Sequence, residues 1–176
     1  MTSKLLLFPS GKPRINVGML YVPFVCEILE VLAACSARGV DYYPYCGHRT
    51  YAESGELYEK WVTGKGGRAA PPGASQHNFG LAVDVAPDGD MAKTGLQPDW
   101  RDAAYVILGE EVAKRPRLHW GNSYNDSPHV GWADFVSRPR ITILDSAWRR
   151  NFFEDGETKD LLVKYVWPLV DEHSRV

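Results

Sequence analysis

Ser75-Gln76-His77-Asn78-Phe79-Gly80-Leu81-Ala82-Val83-Asp84 places a histidine and an aspartate seven residues apart around a glycine. Leu81 to Ala86 reads as a strand. On a flat strand an odd separation sends two side chains to opposite faces. His77 and Asp84 can therefore meet at one point only if His77 lies in the approach to the strand or Gly80 marks a bend. A second segment, Asp126-Ser127-Pro128-His129, sets a carboxylate three residues before a histidine, with Pro128 keeping Ser127 extended. Taken singly, the first segment is equally a surface histidine ahead of a strand that ends in an aspartate, and the second an ordinary polar turn.

Outward from these segments, Tyr21 to Arg38 carries apolar residues at Phe24, Val25, Ile28, Leu29, Val31 and Leu32, a helical recurrence closed by Gly39. Val40 to Tyr45 is aromatic and reads as a strand leading into Gly47-His48-Arg49. Thr50 is placed to cap a second helix reaching about Val62, with Leu57, Tyr58 and Trp61 as its buried face. Thr63 to Ser75, rich in glycine and proline, predicts an extended surface loop of the kind that borders sites. Asp99 to Lys114 predicts a helix, Arg117 to Trp120 a short strand, and Val130 to Phe135 the strand that returns beside it. Past Phe135 the pattern turns polar and aromatic around Arg138-Pro139-Arg140, with short helices predicted over Ser146 to Phe153 and Thr158 to Val170. The expected organisation is a catalytic unit over residues 1–136 and an extension over 137–176 packed on the same domain, to which no chemistry is assigned.

The chain has 176 residues, a size that buries one core. Its 44% hydrophobic and 24% charged content is that of an ordinary globular protein rather than a disordered or membrane-spanning one. Lys plus Arg number 20 against 22 for Asp plus Glu, so no basic field is available to grip phosphates and nucleic-acid binding is excluded. Cys26, Cys35 and Cys46 form no C-x-x-C pair and are expected to be reduced, with Cys26 and Cys35 in the core. Lys4 precedes the apolar run Leu5 to Phe8, but Pro9, Gly11 and Pro13 break it, so neither an export signal nor a membrane span is expected.

Two histidines and one carboxylate suit zinc, which in catalytic sites takes three protein ligands and leaves one position for water. A further carboxylate nearby would accept a proton during attack on an amide carbonyl. On these residues the sequence resembles the zinc D-alanyl-D-alanine peptidases, a family that includes vancomycin-resistance peptidases and the L-alanyl-D-glutamate endopeptidases of phage endolysins. Its signature is matched by Ser75, His77, Gly80, Ala82 and Asp84, and its later acid-and-histidine pair by Asp126 and His129.

The resemblance spans roughly residues 20 to 135. It implies one Zn2+ held by His77, Asp84 and His129, with Asp126 as catalytic base. Arg49, in Gly47-His48-Arg49-Thr50, would hold the substrate carbonyl or the oxyanion. Ser75, Trp120 and Tyr124 are further candidates for substrate contact beside Arg49, although aromatic residues such as Tyr124 and Trp132 are more often core. A glutamine that many members carry after the arginine is here Ser54, next to Glu53. His119 is read as a strand residue, and His48 and His173 as structural or exposed.

The implied fold is α+β and hedgehog-like, a small, mainly antiparallel sheet with the zinc site on one face and helices on the other. The implied activity is hydrolysis of a peptidoglycan stem-peptide bond, most simply L-alanyl-D-glutamate. The alternatives are D,D-carboxypeptidase action on D-Ala-D-Ala termini or a non-catalytic wall-binding module. With no signal peptide, the expected setting is a monomeric phage lysin passing from host cytoplasm to wall through a holin, or a virion component.

Overall fold

The computed structural model describes residues 15–89, 97–155 and 158–174, the side chains of 152–155 excepted. The apolar run at residues 5–8 lies outside them. Helix α1 (Val22–Ala37) buries Phe24, Ile28, Val31, Leu32 and Cys35, a stripe of i, i+4, i+7, i+8 and i+11 positions. Gly39, at φ 87°, ends it in a backbone conformation other residues resist. Cys35 is in the core as expected, but Cys26 is exposed. Two positions on from Phe24 is about 200° around the helix, so Cys26 points away from the stripe.

Four strands form one antiparallel sheet in the order β1-β2-β4-β3. They are β1 (Tyr42–Cys46), β2 (Ala82–Pro87), β3 (Leu118–Trp120) and β4 (His129–Trp132). Period-two alternation divides their side chains. Tyr42, Val83, Val85, Leu118, Val130 and Trp132 join the hydrophobic core, leaving Asp84 and His129 to the opposite face. Trp132 meets Phe24 and Tyr21 edge-on at centroid distances of 6.4 and 5.6 Å, which seats α1 on the apolar face. Helix α3 (Val106–Ala113) lies beside it, tied to α1 by the Arg38–Glu111 ion pair at 2.8 Å. Its regular turns start later than predicted, after a 3-10 turn over Asp102–Tyr105, because Asp99 turns back to bind the Arg101 amide and guanidinium.

Helix α2 (Tyr51–Val62) begins as expected at Thr50, whose hydroxyl accepts the Glu53 amide while the Glu53 carboxylate accepts the Thr50 amide. Its face is a correction: Leu57 and Trp61 are 38% and 39% exposed, and the buried residue is Ser54. The helix packs against the turn that bears Asn78, so it buries a hydroxyl, which accepts from Asn78 Nδ2 at 2.8 Å, and leaves its apolar residues outside.

The C-terminal segment is more helical than the composition suggested. Helix α4 (Arg138–Asp155) takes in Arg138-Pro139-Arg140, because proline is tolerated in a first turn. Helices α5 (Thr158–Leu161) and α6 (Trp167–His173) are joined by a π-helical turn over Leu162–Val166. Pro168 lacks the N–H and the space that an uninterrupted α-helix would require there. Leu144, Trp148, Leu161, Leu162, Val166 and Val170 enter the same core as the sheet and α1. Among the described residues no helix is long and apolar enough to cross a membrane.

Candidate metal centre and cleft

His77 reaches the sheet from a 3-10 turn, Gln76–Phe79, whose first amides are capped by Ser75 Oγ, 3.3 Å from the His77 nitrogen. Gly80 closes the turn at φ 70°, and a Cβ there would lie 2.3 Å from the Met19 carbonyl oxygen. The odd spacing is thus resolved by an approach turn and a glycine bend together. Asp84 and His129 are direct cross-strand partners, and Cys46 pairs with Asp84 from the other side after a register shift past Pro44. Cys46, Asp84 and His129 therefore form a row across three strands, with His77 above it.

His77 Nε2 lies 3.1 Å from Asp84 Oδ1 and 3.2 Å from His129 Nδ1, and His129 Nδ1 lies 3.1 Å from Asp84 Oδ1. Each ring is fixed by its far nitrogen. His77 Nδ1 donates to the Gly47 carbonyl at 2.7 Å, and His129 Nε2 donates to Gln76 Oε1 at 3.4 Å. Gln76 is held in turn by its Nε2 donating to the Trp132 carbonyl at 2.6 Å. Gly131 makes room for it, since a Cβ there would sit 2.0 Å from Gln76 Oε1.

Burial alone would lower the His77 pKa, but the charge and hydrogen bond of Asp84, followed by Cys46, raise it to about 10. Asp84 is likewise desolvated, yet the two imidazoles hold its carboxyl well below the usual range.

Ligand atoms of Asp84, Asp126 and His129 lie within 4.8 Å of one another, as do those of Cys46, His77 and Asp84. Asp126 is exposed to the cleft, in a turn closed by Asn125 at φ 61° and by the Asp126 amide donating to the Gly121 carbonyl. Loss of solvent, then the charge of Asp84, raise its pKa. Arg49 Nη2 is 3.5 Å from Asp84 Oδ2 and donates to Cys46 Sγ at 3.2 Å. The Arg49 backbone is pinned by its amide to the His77 carbonyl and by its carbonyl to Asn78 Nδ2.

A cleft of about 540 Å³ opens from this cluster, lined by Arg49, Asp84, Asp126, Glu53, Glu56, Leu57 and Trp100, with Tyr45, Cys46, His48 and Pro128. None of the residues from Thr63 to Ser75 lines it, so the glycine-rich loop is not its wall.

The other candidates do not line this cleft. Ser75 shapes the His77 turn. Trp120 faces the core, its ring filling the space left by Gly109 and its Nε1 donating to the Ser127 carbonyl. Tyr124 packs 5.9 Å from the His129 ring and stacks on His119. His173 bonds within α6 to the Leu169 carbonyl.

Sequence reasoning missed Cys46, Gln76 and the position of His48 in the cleft. A signal existed for Gln76, which adjoins His77. None existed for Cys46, which cross-strand register alone brings in.

A sequence model of the VanY family, described as D-alanyl-D-alanine carboxypeptidase, matches residues 23–127, well over half of the chain. The chain belongs to this family. As a VanY-family member it is a peptidase. It is 35% identical over 121 residues to the peptidoglycan L-alanyl-D-glutamate endopeptidase CwlK of Bacillus subtilis, covering 61% of this chain and 71% of that one. Among solved structures, the Serratia marcescens L-Ala D-Glu endopeptidase ChiX aligns with a TM-score of 0.47 at 21% identity, over 67% of this chain and 84% of that one. The vancomycin resistance D,D-pentapeptidase VanY, solved in complex with Zn(II), aligns with a TM-score of 0.49 at 20% identity, over 82% and 84%.

Proposed function

We propose that this VanY-family chain is a zinc endopeptidase that cuts the L-alanyl-D-glutamate bond of the peptidoglycan stem. The donors suit the metal. Two imidazole nitrogens and a carboxylate oxygen converge within 3.2 Å of one another, with both rings oriented by acceptors behind them. His77, Asp84 and His129 would hold the zinc, which when bound polarises a carbonyl and acidifies a water in the cleft. Asp126 takes the proton of the attacking water and passes it to the departing amine. Arg49, always charged and fixed at both backbone ends, faces the oxyanion.

The lining of the cleft supports this choice of bond. A carboxypeptidase needs a cation for a free terminal carboxylate, yet among the described residues the lining offers Arg49, already beside Asp84, and His48, whose pKa is lowered by desolvation. Glu53, Glu56 and Asp126 make the remaining wall acidic. The Bacillus subtilis relative, itself an L-alanyl-D-glutamate endopeptidase, supports the same bond. The D,D-carboxypeptidase alternative draws on the description of the matched family. Digestion of purified peptidoglycan with mass spectrometry of the products decides. New amino-terminal D-glutamate is expected, release of D-alanine alone would move the reading to the carboxypeptidase, and no new termini would reduce the chain to a binding module.

Gln76 gives a separate check. Gln76→Leu strips the acceptor from the His129 ring, so zinc affinity should fall by about 10- to 100-fold, measured by competition with a chromogenic chelator. Unchanged affinity would mean that the Gln76 contact does not orient His129.

A further inference from the structure

We propose that the cleft wall formed by α2, Tyr45 and Trp100 is a subsite for a substrate residue bearing a free side-chain amino group, the diamino acid of the stem peptide. The inference rests on the peptidoglycan reading above and adds a selectivity to it.

On α2, Glu53, Glu56 and Leu57 stand at i, i+3 and i+4, on one side of the helix, and all three line the cleft that also holds Arg49, Asp84 and Asp126. Trp100 lines the same cleft while 51% exposed. It meets Tyr45 edge-on, with centroids 5.1 Å apart and planes at 90°. An indole this exposed contributes little to the core, but the Tyr45 contact and the Asp99–Arg101 ion pair beside it, at 2.6 Å, hold it in place.

This wall is continuous with the catalytic groups, so the rest of the substrate lies along it. Its chemistry is mixed in a particular way. The apolar faces of Leu57 and Trp100 suit a methylene stem, and aromatic rings and carboxylates both attract an ammonium. Hydrogen bonds from the Thr50 amide and hydroxyl lower the pKa of Glu53 and keep it ionised, and Glu56 adds a second carboxylate one turn further on.

The diamino acid is the one residue of a peptidoglycan stem with this chemistry. For the L-alanyl-D-glutamate bond it is the second residue on the carboxyl side of the cut. An extended chain covers that separation in about 7 Å.

The test compares muropeptides carrying the free amine with the same muropeptides N-acetylated on that amine. The wild-type zinc enzyme should favour the free amine in kcat/KM by about three- to tenfold, and added salt should shrink the preference. Glu56→Gln and Trp100→Ala should each bring the ratio towards one. Equal rates on both substrates by the wild type, or a full preference retained by Glu56→Gln, would overturn the subsite and leave the peptidase reading intact. Cleavage of neither substrate would bring down the peptidase reading and the subsite with it.

Discussion

Asp126→Ala should keep its zinc and lose about 10²- to 10⁴-fold in kcat, the usual contribution of a positioned general base. Folding should be spared. The backbone bonds that form the turn, from the Asp126 amide to the Gly121 carbonyl and from the His129 amide to the Asp126 carbonyl, do not involve the side chain. Removing a carboxylate whose pKa is raised by desolvation and by Asp84 also relieves a repulsion rather than breaking a bond. Elemental analysis and steady-state kinetics on one preparation are sufficient. Activity within a few-fold of wild type would take the base role from Asp126 and turn attention to His48, which shares the cleft.

His77→Ala should behave differently, losing both the metal and all activity above background. It removes one of three converging donors, takes the imidazole from the Gly47 carbonyl and leaves Asp84 with His129 and Arg49 alone. The metal-free protein should therefore lose about 2 to 4 kcal/mol, and zinc should raise the Tm of the wild type but not of the variant.

The same histidine sets a pH dependence. In the metal-free chain its pKa is raised to about 10, so at neutral pH zinc must displace its proton. Apparent affinity should rise about tenfold per pH unit between pH 6 and 8, with proton release on uptake measurable by calorimetry in buffers of different ionisation enthalpy. A pH-independent affinity would show that His77 gives up no proton when zinc binds.

The individual strands were legible from local pattern, whereas the small antiparallel sheet and the meeting of His77 with Asp84 came from the family resemblance; the residues themselves showed only that Gly80 made that meeting possible. The face buried by α2 was not legible. Periodicity reveals that a segment is helical, but Leu57 and Trp61 mark a core face only if something apolar covers them, and what lies over α2 is a cleft. Trp120 was placed near substrate by its neighbours in sequence, whereas its parity in β3 and the gap at Gly109 send it inward. Cys46 stayed hidden for a related reason: cross-strand register brings it to Asp84, and that register is not encoded in spacing along the chain. Gln76 adjoins His77 in sequence, but its contact with His129 depends on a turn that folds back onto β4.

The turn that carries His77 is also bound to a segment far along the chain, because Trp167 Nε1 donates to the Phe79 carbonyl at 2.9 Å, and the neighbouring α2 is held likewise where Trp148 stacks on Tyr51 at 4.1 Å. Contacts so distant in sequence pay their loop-closure entropy late. During synthesis the ribosome therefore releases the sheet and its carboxylates well before the indole that clamps the histidine turn. The histidine turn should therefore gain its full rigidity only once the segment bearing Trp167 has emerged.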